Sequence, residues 1–204
     1  MVEISTPMNI NHKSMMLDDG SKPCSRTTLL ELLSTLKIEH KTVSHEAMFT
    51  VAQSKSLRET DPHGGYTKNL FMRNKKGAMW LITCNEDRQI DLKNLAAAMG
   101  YKGSSGRFSF ASKDRLSRYL GVSPGAVSPL ALVNDTGHLV QFAIDISLLD
   151  YEVIHLHPLD NHHTTTISIQ DLIQFVEYTG HKPARLEFDP SGGVRRFYTA
   201  EQST

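Results

Sequence analysis

Apolar positions along this chain recur with two periods. From Arg26 to Lys37, Leu29, Leu30, Leu32, Leu33 and Leu36 share one broad face at helical spacing, which predicts an amphipathic helix. Ile38 to His45 then reads as a strand. Thr50-Val51-Ala52-Gln53 is a capping-box pattern and predicts a short helix to about Arg58. Asp61-Pro62-His63-Gly64-Gly65 cannot continue that helix and predicts a loop. Thr67 to Arg73 and Ala78 to Cys84 read as two strands joined in a hairpin across Asn74-Lys75-Lys76-Gly77.

Further on, Asp91 is placed to cap a helix to Met99 that Gly100 ends. Arg107 to Ala111 reads as a short strand, and Ser112 as the cap of a helix through Leu120, stopped by Gly121. A loop rich in proline and glycine runs from Val122 to Pro129. Leu130 to Val133 and His138 to Ile144 read as a hairpin around Asn134-Asp135-Thr136-Gly137, and Asp145 to Asp150 as a turn or short helix. Val153 to His157 and Thr164 to Ile167 predict strands. Ser168-Ile169-Gln170-Asp171 opens a helix to Tyr178 that ends at Gly180. Arg185 to Phe188 reads as an extended piece followed by polar residues. Strands outnumber helices and short turns join most of them. The pattern predicts an α+β fold with a mixed, largely antiparallel, barrel-like sheet surrounded by helices, not a doubly wound parallel one.

Composition narrows the picture. The 204 residues suit one domain, and 39% hydrophobic with 22% charged residues is a globular balance. The expected organisation is a polar N-terminal extension over 1–25, mobile or holding a short helix over Lys13 to Leu17, a domain over 26–180 and a tail over 181–204. The formal net charge is +0, so a nucleic-acid contact has to come from a local patch. Lys37 with Lys41, the hairpin-tip residues Arg73, Lys75 and Lys76, and the group Lys102, Arg107, Lys113, Arg115 and Arg118 are such patches, with a solvated face as the default explanation of each. Cys24 and Cys84 form no CxxC pair, which argues against a cysteine zinc site and fits a reducing compartment. No apolar run approaches the length of a membrane span. The leader has no apolar core and does not read as a secretory signal, so the expected location is cytoplasmic.

The chain carries no GxGxxG after a strand, no phosphate-binding GxxxxGK[ST], no HExxH and no GxSxG. Its candidate chemistry lies elsewhere. In Gly65-Tyr66-Thr67-Lys68-Asn69-Leu70-Phe71, pleating turns Lys68 to one face and Thr67 and Asn69 to the other. A lysine there is either a solvated strand residue or a positive charge held at a pocket mouth. Gly125-Ala126-Val127-Ser128-Pro129 is either an ordinary connection or a loop whose amides face one cavity and stabilise a developing oxyanion. His157, before Pro158 at a strand end, suits a pocket rim as well as a satisfied, partly buried histidine. His155, His157, His162 and His163 lack thiol or carboxylate partners at ligand spacing, so no metal is expected.

Taken together, Thr67-Lys68-Asn69-Leu70-Phe71, Gly125 to Pro129, and His157-Pro158-Leu159 with Asn161 and Thr164 resemble the YbaK/prolyl-tRNA-synthetase-associated editing family, in particular its freestanding prolyl-tRNA editing branch. The resemblance spans about Thr27 to Tyr178. It implies a compact mixed domain that needs no metal or other cofactor and hydrolyses the ester at the terminal adenosine of mischarged tRNA(Pro), with alanine as the released amino acid. It matches Lys68 to the family's essential lysine, Gly125 and Pro129 to the ends of its GxxxP loop, and His157 to its pocket histidine. Thr67, Asn69 and Pro158 are then substrate-binding neighbours. Ala126, Val127 and Ser128 lie inside the loop. The implied partners are the tRNA acceptor end and prolyl-tRNA synthetase. A Cys-tRNA(Pro) deacylase, a tRNA-binding module without catalysis and a histidine metalloprotein are the rival readings.

Overall fold

The computed structural model describes residues 15–47, 55, 64–199 and 201. The helix expected from Thr50 to Arg58 and the loop over 61–63 lie outside the described residues, apart from Lys55. In chain order the elements are α1 (Arg26–Thr35), β1 (His40–Ser44), β2 (Gly65–Arg73), β3 (Met79–Asn85), α2 (Leu92–Ala98), a single turn α3 (Gly103–Gly106) and β4 (Ser109–Phe110). Then come α4 (Lys113–Arg115), which runs on as a π-helical turn (Leu116–Leu120), and a 3-10 helix (Pro129–Asn134). β5 (Val140–Asp145), a second 3-10 helix (Ile146–Asp150), β6 (Val153–Leu156), β7 (His163–Ser168), α5 (Ile169–Tyr178), β8 (Ala184–Phe188) and β9 (Val194–Tyr198) complete the chain.

The nine strands of the described residues form one sheet in the order β1-β7-β6-β2-β3-β5-β8-β9, with β4 paired to β2 off that path. β1–β7, β6–β7, β2–β3, β2–β4 and β8–β9 are antiparallel. β2–β6, β3–β5 and β5–β8 are parallel. The sheet is therefore mixed and mostly antiparallel, as its alternating strands and short turns predicted.

Two apolar clusters cover its two faces. One gathers Phe71, Leu81, Phe142, Ile144, Ile154 and Leu156 with Leu29 and Leu33 of α1, Leu120, Leu130, and Leu172 and Phe175 of α5. Leu29 and Leu33 lie one turn apart, as do Leu172 and Phe175, so each helix sets a single stripe on the sheet. The other gathers Met72, Trp80, Ile82 and Ala143 with Leu95 and Ala96 of α2 and Leu186 and Phe188 of β8. Asp91, Ser112 and Ser168 cap where the sequence placed them, accepting amide hydrogens at the starts of α2, α4 and α5, and Ser25 does the same for α1.

Three expectations are corrected. Leu130 to Val133 is not a strand, and no hairpin joins it to β5. Ser128 accepts the Leu130 amide, Pro129 occupies the first turn, and the segment to Asn134 is a 3-10 helix. Leu130, Ala131 and Leu132 are at most 1% exposed, and a run buried on every side carries no period that separates helix from strand. β5 instead lies parallel between β3 and β8. The second correction concerns the residues beyond Phe188: β8 is the extended piece expected at Arg185 to Phe188, but Val194–Tyr198, read only as polar tail, adds β9 beside it. Arg195 and Arg196 are exposed on an edge strand, where charge is common, and their polarity hid β9. Third, of the short helix expected over Lys13 to Leu17, residues 13 and 14 lie outside the described residues and Met15–Leu17 are not helical. Leu17 is buried, Asp18 pairs with Arg118, Asp19 accepts from Thr136, and the Cys24 amide donates to Asn134 Oδ1 at 2.8 Å, so residues 15–25 pack on the domain.

Candidate active site

Strand β2 builds the site. Its entry is shaped by glycine: a Cβ on Gly64 would stand 2.0 Å from the His155 ring, and one on Gly65 2.8 Å from Tyr151. The absence of side chains lets those rings close against the backbone. His155 stacks on Tyr66 at 4.4 Å and its Nδ1 meets Thr166 Oγ1 at 2.9 Å.

β2 pairs with β3 along Thr67 to Arg73, but its other edge is paired only at its ends. β6 takes Gly65 and Tyr66, β4 takes Met72 and Arg73, and the Ala111 amide donates to the Phe71 carbonyl. Among the described residues, the edge from Thr67 to Leu70 has no strand beside it. Lys68 and Asn69 are both half-buried along this opening.

Pleating divides the two, as predicted. Lys68 shares a face with Met72, and its Nζ donates to the Arg88 carbonyl. Arg88 is itself anchored: Nε reaches Asp145 Oδ2 at 2.8 Å, Nη2 reaches Ser147 Oγ at 3.0 Å, and the guanidinium lies 5.5 Å from the Phe188 ring centre. Asp145 is wholly buried and also accepts the Ser147 amide. Cys84 lies opposite Lys68, and burial pushes its thiol up to about 12, so it stays protonated at neutral pH and is no nucleophile.

On the other face a hydrogen-bond chain runs across the strands. Thr83 Oγ1 donates to Asn69 Oδ1 at 2.7 Å, Asn69 Nδ2 donates to Thr67 Oγ1 at 3.4 Å, and Thr67 Oγ1 donates to the His155 carbonyl at 3.2 Å. The Gly125–Pro129 loop packs on this side of the sheet: Ala126 is buried in the cluster that holds Phe71 and Leu81, and Val127 packs against it. The structure thus sets the loop on the face of Thr67 and Asn69, and Lys68 on the opposite one. Gly125 is exposed with φ +91, a conformation suited to glycine. The Ala126 amide is taken by the Ser123 carbonyl, whereas among the described residues no hydrogen bond engages the Val127 or Ser128 amide. Ser128 is buried and its hydroxyl caps the 3-10 helix.

His157 sits past β6, beside the buried Pro158. Its Nδ1–H donates to the His163 carbonyl at 3.0 Å, and the His45 ring lies 6.3 Å away. Burial is the main influence holding its pKa below the ordinary histidine value, and His45 adds to it. The next turn is tightly held. Leu159 has φ +69, uncommon for a branched side chain. Asp160 accepts from Arg26 at 2.9 Å and meets His163 Nδ1 at 2.7 Å. Burial raises the Asp160 carboxyl, but hydrogen bonds from His163, the His162 amide and Arg26 outweigh it and hold the group below its usual range. Among the described residues, no three His, Cys, Asp or Glu side chains converge as metal ligands.

Arg88 and Asp145 were missed in the sequence. The available signal was Asp145 at the end of an apolar strand, a position where an acid is buried only if paired.

The chain belongs to the aminoacyl-tRNA editing domain family, whose model matches residues 45–175. Among its relatives, prolyl-tRNA synthetase associated domain-containing protein 1 of Bos taurus is 37% identical over 172 residues, covering 80% of this chain and 95% of that protein. The prolyl-tRNA editing protein ProX of Acetoanaerobium sticklandii is 32% identical over 158 residues, covering 77% and 93%. A crystal structure of a candidate trans-editing enzyme for prolyl tRNA synthetase shares the fold at 19% identity, with a TM-score of 0.59 over 80% of this chain and 96% of that one.

Proposed function

We propose that the protein deacylates mischarged tRNA(Pro), with Ala-tRNA(Pro) as its substrate, by hydrolysing the ester at the terminal adenosine. The observation that carries this reading is the β2 edge from Thr67 to Leu70, beside which no strand lies among the described residues. An opening between strands lets one extended ligand meet side chains of both faces, so a lysine and an amide–hydroxyl chain on opposite sides can serve one substrate. The names of the relatives support the tRNA class.

An aminoacyl ester is already activated, so water suffices as nucleophile if it is oriented. Lys68, held by the Arg88 carbonyl, binds the phosphate of the terminal adenosine. Asn69 and Thr67 hydrogen-bond the acyl end. The Val127 and Ser128 amides receive the carbonyl oxygen as water adds and charge develops on it. The ester C–O bond then breaks, the ribose hydroxyl regains its proton, and the free amino acid leaves. His157, kept neutral by burial, shapes the acyl pocket with Pro158. A small pocket admits alanine and rejects proline by overlap, the second-sieve principle.

The test is deacylation of Ala-, Cys-, Ser- and Pro-tRNA by the wild type and by Lys68→Ala. Ala-tRNA(Pro) should be cleaved fastest, and Lys68→Ala should lose about 10²-fold in rate, the loss typical of one removed transition-state contact. Near-normal turnover by Lys68→Ala would end the assignment of the lysine. Preference for Cys-tRNA would replace the amino acid, and no release from any of the four would end the reading as a deacylase.

A further inference from the structure

The chain carries equal numbers of basic and acidic residues, yet two neighbouring segments, 71–78 and 101–113, hold cations and no acid. The tip of the β2–β3 hairpin, the α3 turn and β4 are joined there. The Lys75 amide donates to the Ser105 carbonyl at 3.1 Å, and Met72 and Arg73 pair with Phe110 and Ser109. Contacts that no sequence spacing predicts thus merge two patches that are separate along the chain. Lys75, Lys76, Lys102, Arg107 and Lys113 are all exposed on these segments. Neither 71–78 nor 101–113 contains an Asp or Glu. Among the described residues, no carboxylate pairs with any of the five cations. Asp114 is the nearest acid in sequence. Arg115 and Arg118 are engaged elsewhere, the first on Met79 Sδ and the second on Asp18.

Amid these cations stands Phe110, 61% exposed on a two-residue strand. A solvated basic face needs no bare aromatic ring. An RNA backbone with accessible bases or riboses uses both, charge for phosphates and a ring for stacking. β2 connects the patch to the site: Arg73 lies five residues from Lys68, about 17 Å along a strand. We propose that this patch is the docking surface for the body of the RNA. Lys75, Lys76, Lys102, Arg107 and Lys113 take phosphates and Phe110 stacks on an exposed base or ribose, while the reacting end reaches the opening at Lys68. The inference rests on the editing reading only for the identity of the RNA.

Two measurements separate them. Binding of an uncharged tRNA(Pro) transcript is followed by anisotropy from 50 to 200 mM salt, for the wild type, Lys75→Glu/Lys76→Glu/Arg107→Glu, Phe110→Ala, and a control with the same charge change, Lys182→Glu/Arg185→Glu/Arg195→Glu. Hydrolysis of alanyl-adenosine, which has no stem, is assayed in parallel. Five phosphate contacts predict about 500-fold weaker wild-type binding at the higher salt. The hairpin triple variant should bind far more weakly, with a log–log salt slope smaller by about three. Phe110→Ala should weaken binding about tenfold with the slope unchanged. The control should retain most of the affinity, and all four proteins should cleave alanyl-adenosine alike. Wild-type affinity and slope in the hairpin variant, or an equal loss in the control, would overturn the docking surface while leaving the editing reading intact. Tight, slope-dependent binding by a wild type that cleaves no ester would overturn the editing reading and leave the docking surface standing.

Discussion

From Phe71 to Arg73, β2 is bonded to β3 on one edge and to the β4 segment on the other, and Phe71 and Met72 are buried. From Thr67 to Leu70, among the described residues, β3 is the one strand that pairs with it, and its side chains are half-buried. Both stretches alternate in the same way. Among the described residues they differ in the second strand neighbour: an edge with no strand beside it can take a ligand, and polar side chains there can be oriented without being sealed. The buried half gives rigidity, and the open half has residues available for chemistry.

The sharpest break of this comparison is a pair of substitutions on one face. Met72→Ala should destabilise the fold by about 3 kcal/mol through the cavity it leaves, with unchanged deacylation per folded molecule. Lys68→Ala should do the reverse, with a stability change too small to resolve beside its rate loss. Denaturant melts and single-turnover rates measured on both proteins decide it; loss of stability in both would mean that the open half is structural too.

Next in size is Asp145→Asn. It leaves the Arg88 guanidinium, which is 21% exposed, without its buried partner and should cost about 3 kcal/mol. Because the Arg88 carbonyl holds Lys68, deacylation should fall as well. A stable variant with wild-type rates would detach this pair from the site. Thr83→Val removes the donor to Asn69 Oδ1 and should cost about 1 kcal/mol by equilibrium unfolding. Asn69→Ala should slow Ala-tRNA(Pro) deacylation about tenfold if one such bond is made in the transition state.

The smallest effect is a pH dependence. His157 binds a proton less readily in the fold than in the unfolded chain, where it titrates near 6.5. As pH falls below 6.5 the unfolded state takes up the proton first, so the folded protein loses stability down to the lowered folded value; above 6.5 this contribution is constant. His157→Gln should flatten that part of the curve when urea midpoints are compared at pH 7.5 and 5.5, and an unchanged slope would mean that other groups carry it.

Most of the elements were legible because their signals are local. Ser112, Ser168 and Asp91 announce helix starts, and the β2–β3 hairpin follows from Asn74 to Gly77 between two apolar runs. What stayed hidden depends on long-range partners. Leu130 to Leu132 is buried on every side and its period is silent, and its 3-10 helix goes with β5 seated between β3 and β8 rather than in a hairpin. In the same way, Lys68 and Asn69 could be read as opposite faces from pleating alone, but the gap beside them arises because β6 and β4 pair with the two ends of β2. Arg88 lies in the turn after β3 and is recruited by Asp145, 57 residues on.

The opening itself can be probed directly. A non-hydrolysable amide analogue of alanyl-adenosine, titrated into labelled protein, reports through amide chemical shifts. The account predicts saturable shifts at Thr67 to Leu70, the Asn69 side-chain amide, Val127 and Ser128, with the Trp80 indole unmoved. Binding that shifts Trp80 and its neighbours and leaves the β2 edge and the loop still would contradict it.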